Sequence, residues 1–169
     1  MVEILNTERI NARIGNVFDK AKDHLIIASP YLCLNEEART AVEEAANRGV
    51  TVTAVYRQAD PDTAAWVKAL PRCNVGRLES LQAEAIMNDA AAVFSSMGLR
   101  EYGEAKNEHL GVFAWIGKDR KDVLWMLYQV ICLINMCVKE CGNWDFGDLD
   151  VPLRTVEHPG TYVDCPPPY

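Results

Sequence analysis

Between residues 7 and 22, Ile10, Ile14, Val17, Phe18 and Ala21 recur at the three-to-four spacing of one helix face, behind Asn6 and Thr7, either of which can cap the first turn. The spacing predicts an amphipathic helix. His24 to Ser29 is a short aliphatic run, predicted as a buried strand that Pro30 closes by removing a backbone donor. Asn35 caps a second helix, which opens on the acidic pair Glu36 and Glu37, carries Ala41, Val42, Ala45 and Ala46, and ends at Gly49. Val50 to Val55 reads as the next strand. Asp60 and Pro61 are the cap and first position of a helix that runs to Leu70 and stops at Pro71, and Cys73 to Leu78 is a third extended piece. Ala85 to Met87 and Ala91 to Phe94 flank Asn88, Asp89 and Ala90, the pattern of two strands around a tight turn. Beyond a polar stretch from Arg100 to His109, Leu110 to Ile116 is again extended.

Strands that alternate with helices, followed by a hairpin, make the class α/β with a mixed sheet flanked by helices. Arg120 to Glu140 reads as a long helix, apolar nearly all round, because Gln129 and Asn135 do not complete a polar face. Such a helix must be covered on both sides, by the sheet and by the chain's own tail, a second copy or another protein. Residues 1–141 are therefore expected to form one domain. Residues 142–169, Pro-rich and without periodicity, form a C-terminal tail expected to pack on that domain or on a partner.

Composition narrows the function. With 169 residues, 49% of them hydrophobic, the chain is long enough to bury a core without disulfides or metal, which excludes disorder and a disulfide scaffold. A net charge of −7 argues against attraction of the whole molecule to nucleic acid or anionic membrane. Arg39, Arg48, Arg57, Arg72 and Arg77 are the residues from which a local basic patch for nucleic acid would be built. The apolar run 123–138 is short for a membrane span, and the first residues lack the pattern of a signal peptide. A reducing, cytoplasmic setting without membrane contact and without a cofactor is expected. Cys137 and Cys141 lie four apart on one helix face, and with His158 and Cys165 they could complete a zinc site, although the spacing is irregular and such cysteines are usually small buried hydrophobes.

Five pieces in order, residues 26–32 (IIASPYL), residues 44–52 (EAANRGVTV), the hairpin, residues 94–99 (FSSMGL) and residues 107–112 (NEHLGV), resemble the phospholipase D superfamily over residues 5 to 140. The resemblance implies that family's fold and its chemistry: a His-x-Lys-x(4)-Asp motif, then Gly-Ser-x-Asn, then Asn-Glu. There a histidine attacks phosphorus, a second copy of the motif protonates the leaving group, and lysine and asparagine hold the phosphate oxygens without metal. The motif falls here on residues 82–89. Gln82 stands at the histidine position, Glu84 at the lysine position, and Asp89 is kept. Ser96 keeps the family's serine, Gly98 replaces the asparagine, and Asn107 and Glu108 match the downstream pair.

A glutamine amide is neither nucleophile nor base, so no phospho-enzyme forms at position 82. A carboxylate at position 84, about 5 Å from a phosphate in a medium of dielectric about 20, is expected to repel it by about 3 kcal/mol. The resemblance thus implies a degenerate site in a catalytically inactive scaffold or binding module. Because family members with a single motif commonly pair with their motifs facing, it also implies a homodimer. Two alternatives use the same residues: non-cleaving nucleic-acid binding, and a metal-dependent phosphodiesterase in which Glu84, Asp89, Glu108 and His109 collect a divalent ion. Against the latter, Asp89 sits in a turn, Glu84 has Arg77 and Arg100 as candidate partners, and strand alternation points His109 away from a cleft that Glu108 faces.

Overall fold

Each helix begins where a side chain can take up its first free N–H groups. In the computed structural model, which describes residues 2–115 and the backbone of residues 138–139, Asn6 accepts from the Arg9 N–H at 3.1 Å and opens α1 (Thr7–Lys20). Asn35 accepts from Ala38 N–H at 2.9 Å and opens α2 (Glu36–Asn47), and Asp60 accepts from Thr63 N–H at 2.9 Å and opens α3 (Pro61–Ala69). The strands are β1 (Val2–Leu5), β2 (His24–Leu32), β3 (Thr51–Ala59), β4 (Cys73–Arg77), β5 (Glu84–Asn88), β6 (Ala91–Ser95), β7 (Gly111–Trp115) and β8 (Val138–Lys139).

These strands form one mixed sheet in the order β1-β7-β6-β5-β2-β3-β4-β8. The pairs β2–β3 and β3–β4 are parallel, joined by the crossover helices α2 and α3, and every other pair is antiparallel. One face of the sheet, with Leu25, Ile27, Val52, Ala54, Ile86 and Val93, meets Ile10, Ile14, Val17 and Phe18 of α1 and Val42 of α2. Alternation puts Ile26, Ala28, Val55, Met87 and Ala92 on the opposite face, also buried. Phe18 packs edge-on against Tyr102 with ring centroids 5.6 Å apart, which ties the polar segment after β6 to the core.

The strand register sorts the loops. The C-terminal ends of β2 and β6 and the N-terminal ends of β5 and β7 lie together, because Ala28 pairs with Ala85, Glu84 with Ser95, and Ser95 with Gly111. The opposite end holds the β5–β6 turn and the α1–β2 connection.

Two expectations are corrected, and one strand is added. Pro30 does not end its strand: β2 continues to Leu32 beside β3, because β5 stops pairing at Ala28 and leaves an edge on which a missing donor is tolerated. The segment Val2–Leu5, too short for a periodic pattern, is an edge strand on β7. Residues 138 and 139, expected in the last turn of a helix, pair antiparallel with Arg77 and Gly76 and cover the edge of β4. The rest of the apolar segment 120–140, with its expected partner surface, and the tail 142–169 lie outside the described residues. Among the described residues no helix is long and apolar enough to cross a membrane.

Ile14 is fully buried between α1 and the sheet. Ile14→Ala is expected to lower stability by about 3 kcal/mol, read as a shift of the urea midpoint at unchanged slope.

Candidate functional site

Glu84 is the first residue of β5, set between Ser29 of β2 and Ser95 of β6. Its carboxyl accepts a hydrogen bond from Ser29 Oγ at 2.9 Å, while Oε1 is shut off from solvent with no partner among the described residues. Burial, opposed by the Ser29 bond, pushes its pKa up to about 8. At neutral pH the group is therefore largely an uncharged acid. This corrects the expected electrostatics, since a protonated Glu84 does not exert the repulsion of a carboxylate. Nor is it paired with an arginine among the described residues, and Arg77 binds Glu79 at 3.0 Å instead. Gln82 is exposed in the segment leading into β5, and Gly98 contributes no side chain beside Met97 and Leu99, both buried.

Asp89 lies at the other end of β5. Its carboxylate accepts the backbone N–H groups of Lys22 and Asp23 at 2.9 and 3.1 Å through Oδ2, and that of His24 at 3.1 Å through Oδ1. It holds the turn from α1 into β2, while Asn88 closes the hairpin by accepting from Ala90 and Ala91 N–H. The gathering of Glu84, Asp89, Glu108 and His109 that the metal alternative requires does not occur, because the length of β5 separates Asp89 from Glu84. Among the described residues no group of three or more His, Cys, Asp or Glu could hold a metal ion. The zinc candidates Cys137, Cys141, His158 and Cys165 lie outside the described residues.

Ser96, Asn107, Glu108 and His109 do come together, drawn in by the first residue of α1. Thr7 Oγ1 accepts from His109 N–H at 2.8 Å and lies 3.3 Å from the Asn107 carbonyl and 3.4 Å from Glu108 Oε2. The His109 ring is bonded on both sides, with Nδ1 3.2 Å from Ser96 Oγ and Nε2 3.2 Å from Glu101 Oε2. Asn107 Nδ2 also donates to Glu101, at 3.1 Å. The alternation expected to turn His109 away fails, because the strand begins only at Gly111. Glu101 is not legible in the sequence as part of this group: it lies 8 residues from His109, on a short 3-10 helix (Leu99–Glu101), and no spacing rule joins them. A groove of about 790 Å³, lined by Ile4, Leu5, Arg9, Ser96, Glu108 and His109 among others, opens beside the ring.

No family model matches the sequence, and no curated protein is similar to it. Solved structures are similar in shape. Nuc from Salmonella typhimurium, a phospholipase D family member, superposes with a TM-score of 0.66 at 16% identity, over 84% of this chain and 99% of that one. NucT from Helicobacter pylori gives 0.67 at 12% identity, over 82% and 98%. The fold is that of phospholipase D. TrmBL2, an archaeal chromatin protein with a novel mode of DNA binding, shares it at a TM-score of 0.57 and 13% identity, over 82% of this chain and 52% of that one.

On this phospholipase D fold the arginines expected to build a basic patch are partly committed elsewhere. Arg39 lies over the Trp66 ring at 5.5 Å, Arg48 donates to the Phe18 carbonyl at 2.7 Å, and Arg77 is held by Glu79.

Because the folded state raises the Glu84 pKa, it binds a proton that the unfolded chain has released, so Glu84 costs stability as pH rises from about 4.5 to about 8. Glu84→Gln is expected to remove that decline, read as urea midpoints that no longer fall between pH 5 and pH 8.5. Asp89→Ala, which strands three backbone donors, is expected to cost about 2 kcal/mol at neutral pH without changing the groove, read by the same denaturation and by the ring-proton shifts of His109.

Proposed function

We propose that this chain lacks the phosphohistidine chemistry of the phospholipase D family and works as a homodimeric scaffold or binding module. The observation that carries this reading is Glu84. Where the family places a phosphate-binding lysine, this chain has a half-buried, largely uncharged acid bonded to Ser29. Gln82, at the nucleophile position, supplies neither a nucleophile nor a base, and Gly98 supplies no side-chain amide for phosphate oxygens. Within residues 82–89 the one residue that is kept, Asp89, bonds to the backbone of its own fold. The loss therefore falls on groups that would touch a substrate.

A homodimer is the state that the resemblance to single-motif members of the family implies, with the motifs of two chains facing. A second reading, nucleic-acid binding without cleavage, draws on the likeness to TrmBL2 and is weakened by the commitments of Arg39, Arg48 and Arg77.

The test is hydrolysis of bis(p-nitrophenyl) phosphate and of single- and double-stranded nucleic acid, in EDTA and then with Mg²⁺ or Mn²⁺, beside light scattering for mass. The expected result is no turnover in any arm and a particle of twice 18.9 kDa. Turnover in EDTA would overturn the loss of chemistry, turnover only with metal would restore the carboxylate alternative, and a particle of 18.9 kDa would remove the dimer.

A further inference from the structure

We propose that Ser96, His109 and Glu101 form a hydrolytic site for carboxylic esters, in which Ser96 is the nucleophile, His109 the general base, and Glu101 a positioning residue for the imidazole. This chemistry is independent of the proposed loss of phosphodiester chemistry, which concerns Gln82 and Glu84.

The hydrogen bonds assign each proton. Glu101 is held below the usual carboxylate range, chiefly by its bond with His109, so at neutral pH it only accepts. The 3.2 Å contact to Nε2 is then a donated N–H, which leaves Nδ1 as the basic nitrogen. Ser96 Oγ already accepts the Leu110 N–H at 3.2 Å, so its own proton is directed to Nδ1, also 3.2 Å away. This is the order of donors in a serine–histidine–acid triad with the two ring nitrogens exchanged, and either nitrogen of a neutral imidazole can act as base.

Access suits the assignment. Ser96 is exposed, whereas the His109 side chain is only 9% exposed, so the base is shielded and the nucleophile open. The groove beside them has an apolar rim, Ile4 and Leu110, exposed by 73% and 69%. An ester with a short alkyl acyl chain would lay that chain on these two residues.

The step balances. A lone pair of Ser96 Oγ forms a bond to the ester carbonyl carbon while its proton passes to Nδ1 of His109. The carbon–alkoxy bond then breaks, and the alcohol leaves with that proton. Water adds to the acyl-serine, gives a proton to Nδ1, and the carboxylic acid departs as Ser96 recovers its proton. The sum is ester plus water to acid plus alcohol.

The full chain is treated with a fluorophosphonate probe, the adduct is located by mass spectrometry, and p-nitrophenyl butyrate turnover is followed in parallel. The expected result is an adduct on Ser96 that heat unfolding abolishes, no turnover in Ser96→Ala, and labelling slowed about a hundredfold or more in His109→Gln. Glu101→Gln, which presents a donor to Nε2 and so disfavours the productive tautomer, is expected to lower kcat at unchanged KM. Absence of an adduct on the folded wild-type chain overturns the proposal whatever the variants do, as does labelling of His109→Gln at the wild-type rate.

Discussion

The antiparallel register of β5 on β2 is the constraint on which the rest of this molecule depends. Ala28 faces Ala85 and Leu25 faces Asn88, so Glu84 arrives beside Ser29 at one end of the sheet and Asp89 beside the start of β2 at the other. A slip by one residue would turn Ile86 from the α1 side to the opposite face and bring Met87 in its place. The same register, carried across β6 to β7, delivers Ser96 to Leu110 and hence to the His109 ring. Asp89 reinforces it from the far end, because three N–H groups of the α1–β2 connection converge on a residue of the β5–β6 turn.

The positions that the resemblance assigns to the family's motifs accordingly divide by what their side chains touch. Asp89 touches only its own chain's backbone, and its replacement costs folding free energy whether or not a substrate exists. Positions 82, 84 and 98 have no comparable hold on the fold: Gln82 is exposed, Gly98 has no side chain, and Glu84 has one hydrogen bond, to a hydroxyl. Asp89 and, further along, Ser96, Asn107 and Glu108 match the residues that the resemblance implies, while positions 82, 84 and 98 differ from them.

Much of this is legible in the sequence, and for identifiable reasons. Asn6, Asn35 and Asp60 announce their helices because a cap is a local device, complete within three residues. The hairpin is equally local, since Asn88 bonds N–H groups two and three residues on. The features that escape a reading of the sequence are non-local. Pro30 is tolerated because of where β5 ends, β1 exists because β7 pairs with it, and residues 138–139 are extended beside β4, which is far away in the chain. Glu101 joins His109 only because Thr7 draws the intervening loop onto the start of α1. The charge of Glu84 escapes for the same reason: its composition says carboxylate, and its burial says acid.

The neutral state of Glu84 bears on what position 84 can hold. A lysine at position 84 would also be stripped of its hydration, and burial alone favours the neutral amine. The hydrogen-bonding neighbour there, the Ser29 hydroxyl, offers an ammonium one acceptor where it has three protons to place. An ammonium there would be satisfied only by further acceptors, such as the oxygens of a bound anion. A glutamate in the same place needs no ligand: it takes up a proton, accepts from Ser29, and becomes neutral at the pH of a cell. A glutamate at position 84 thus meets the low polarity of its surroundings by protonation, with no counter-ion required.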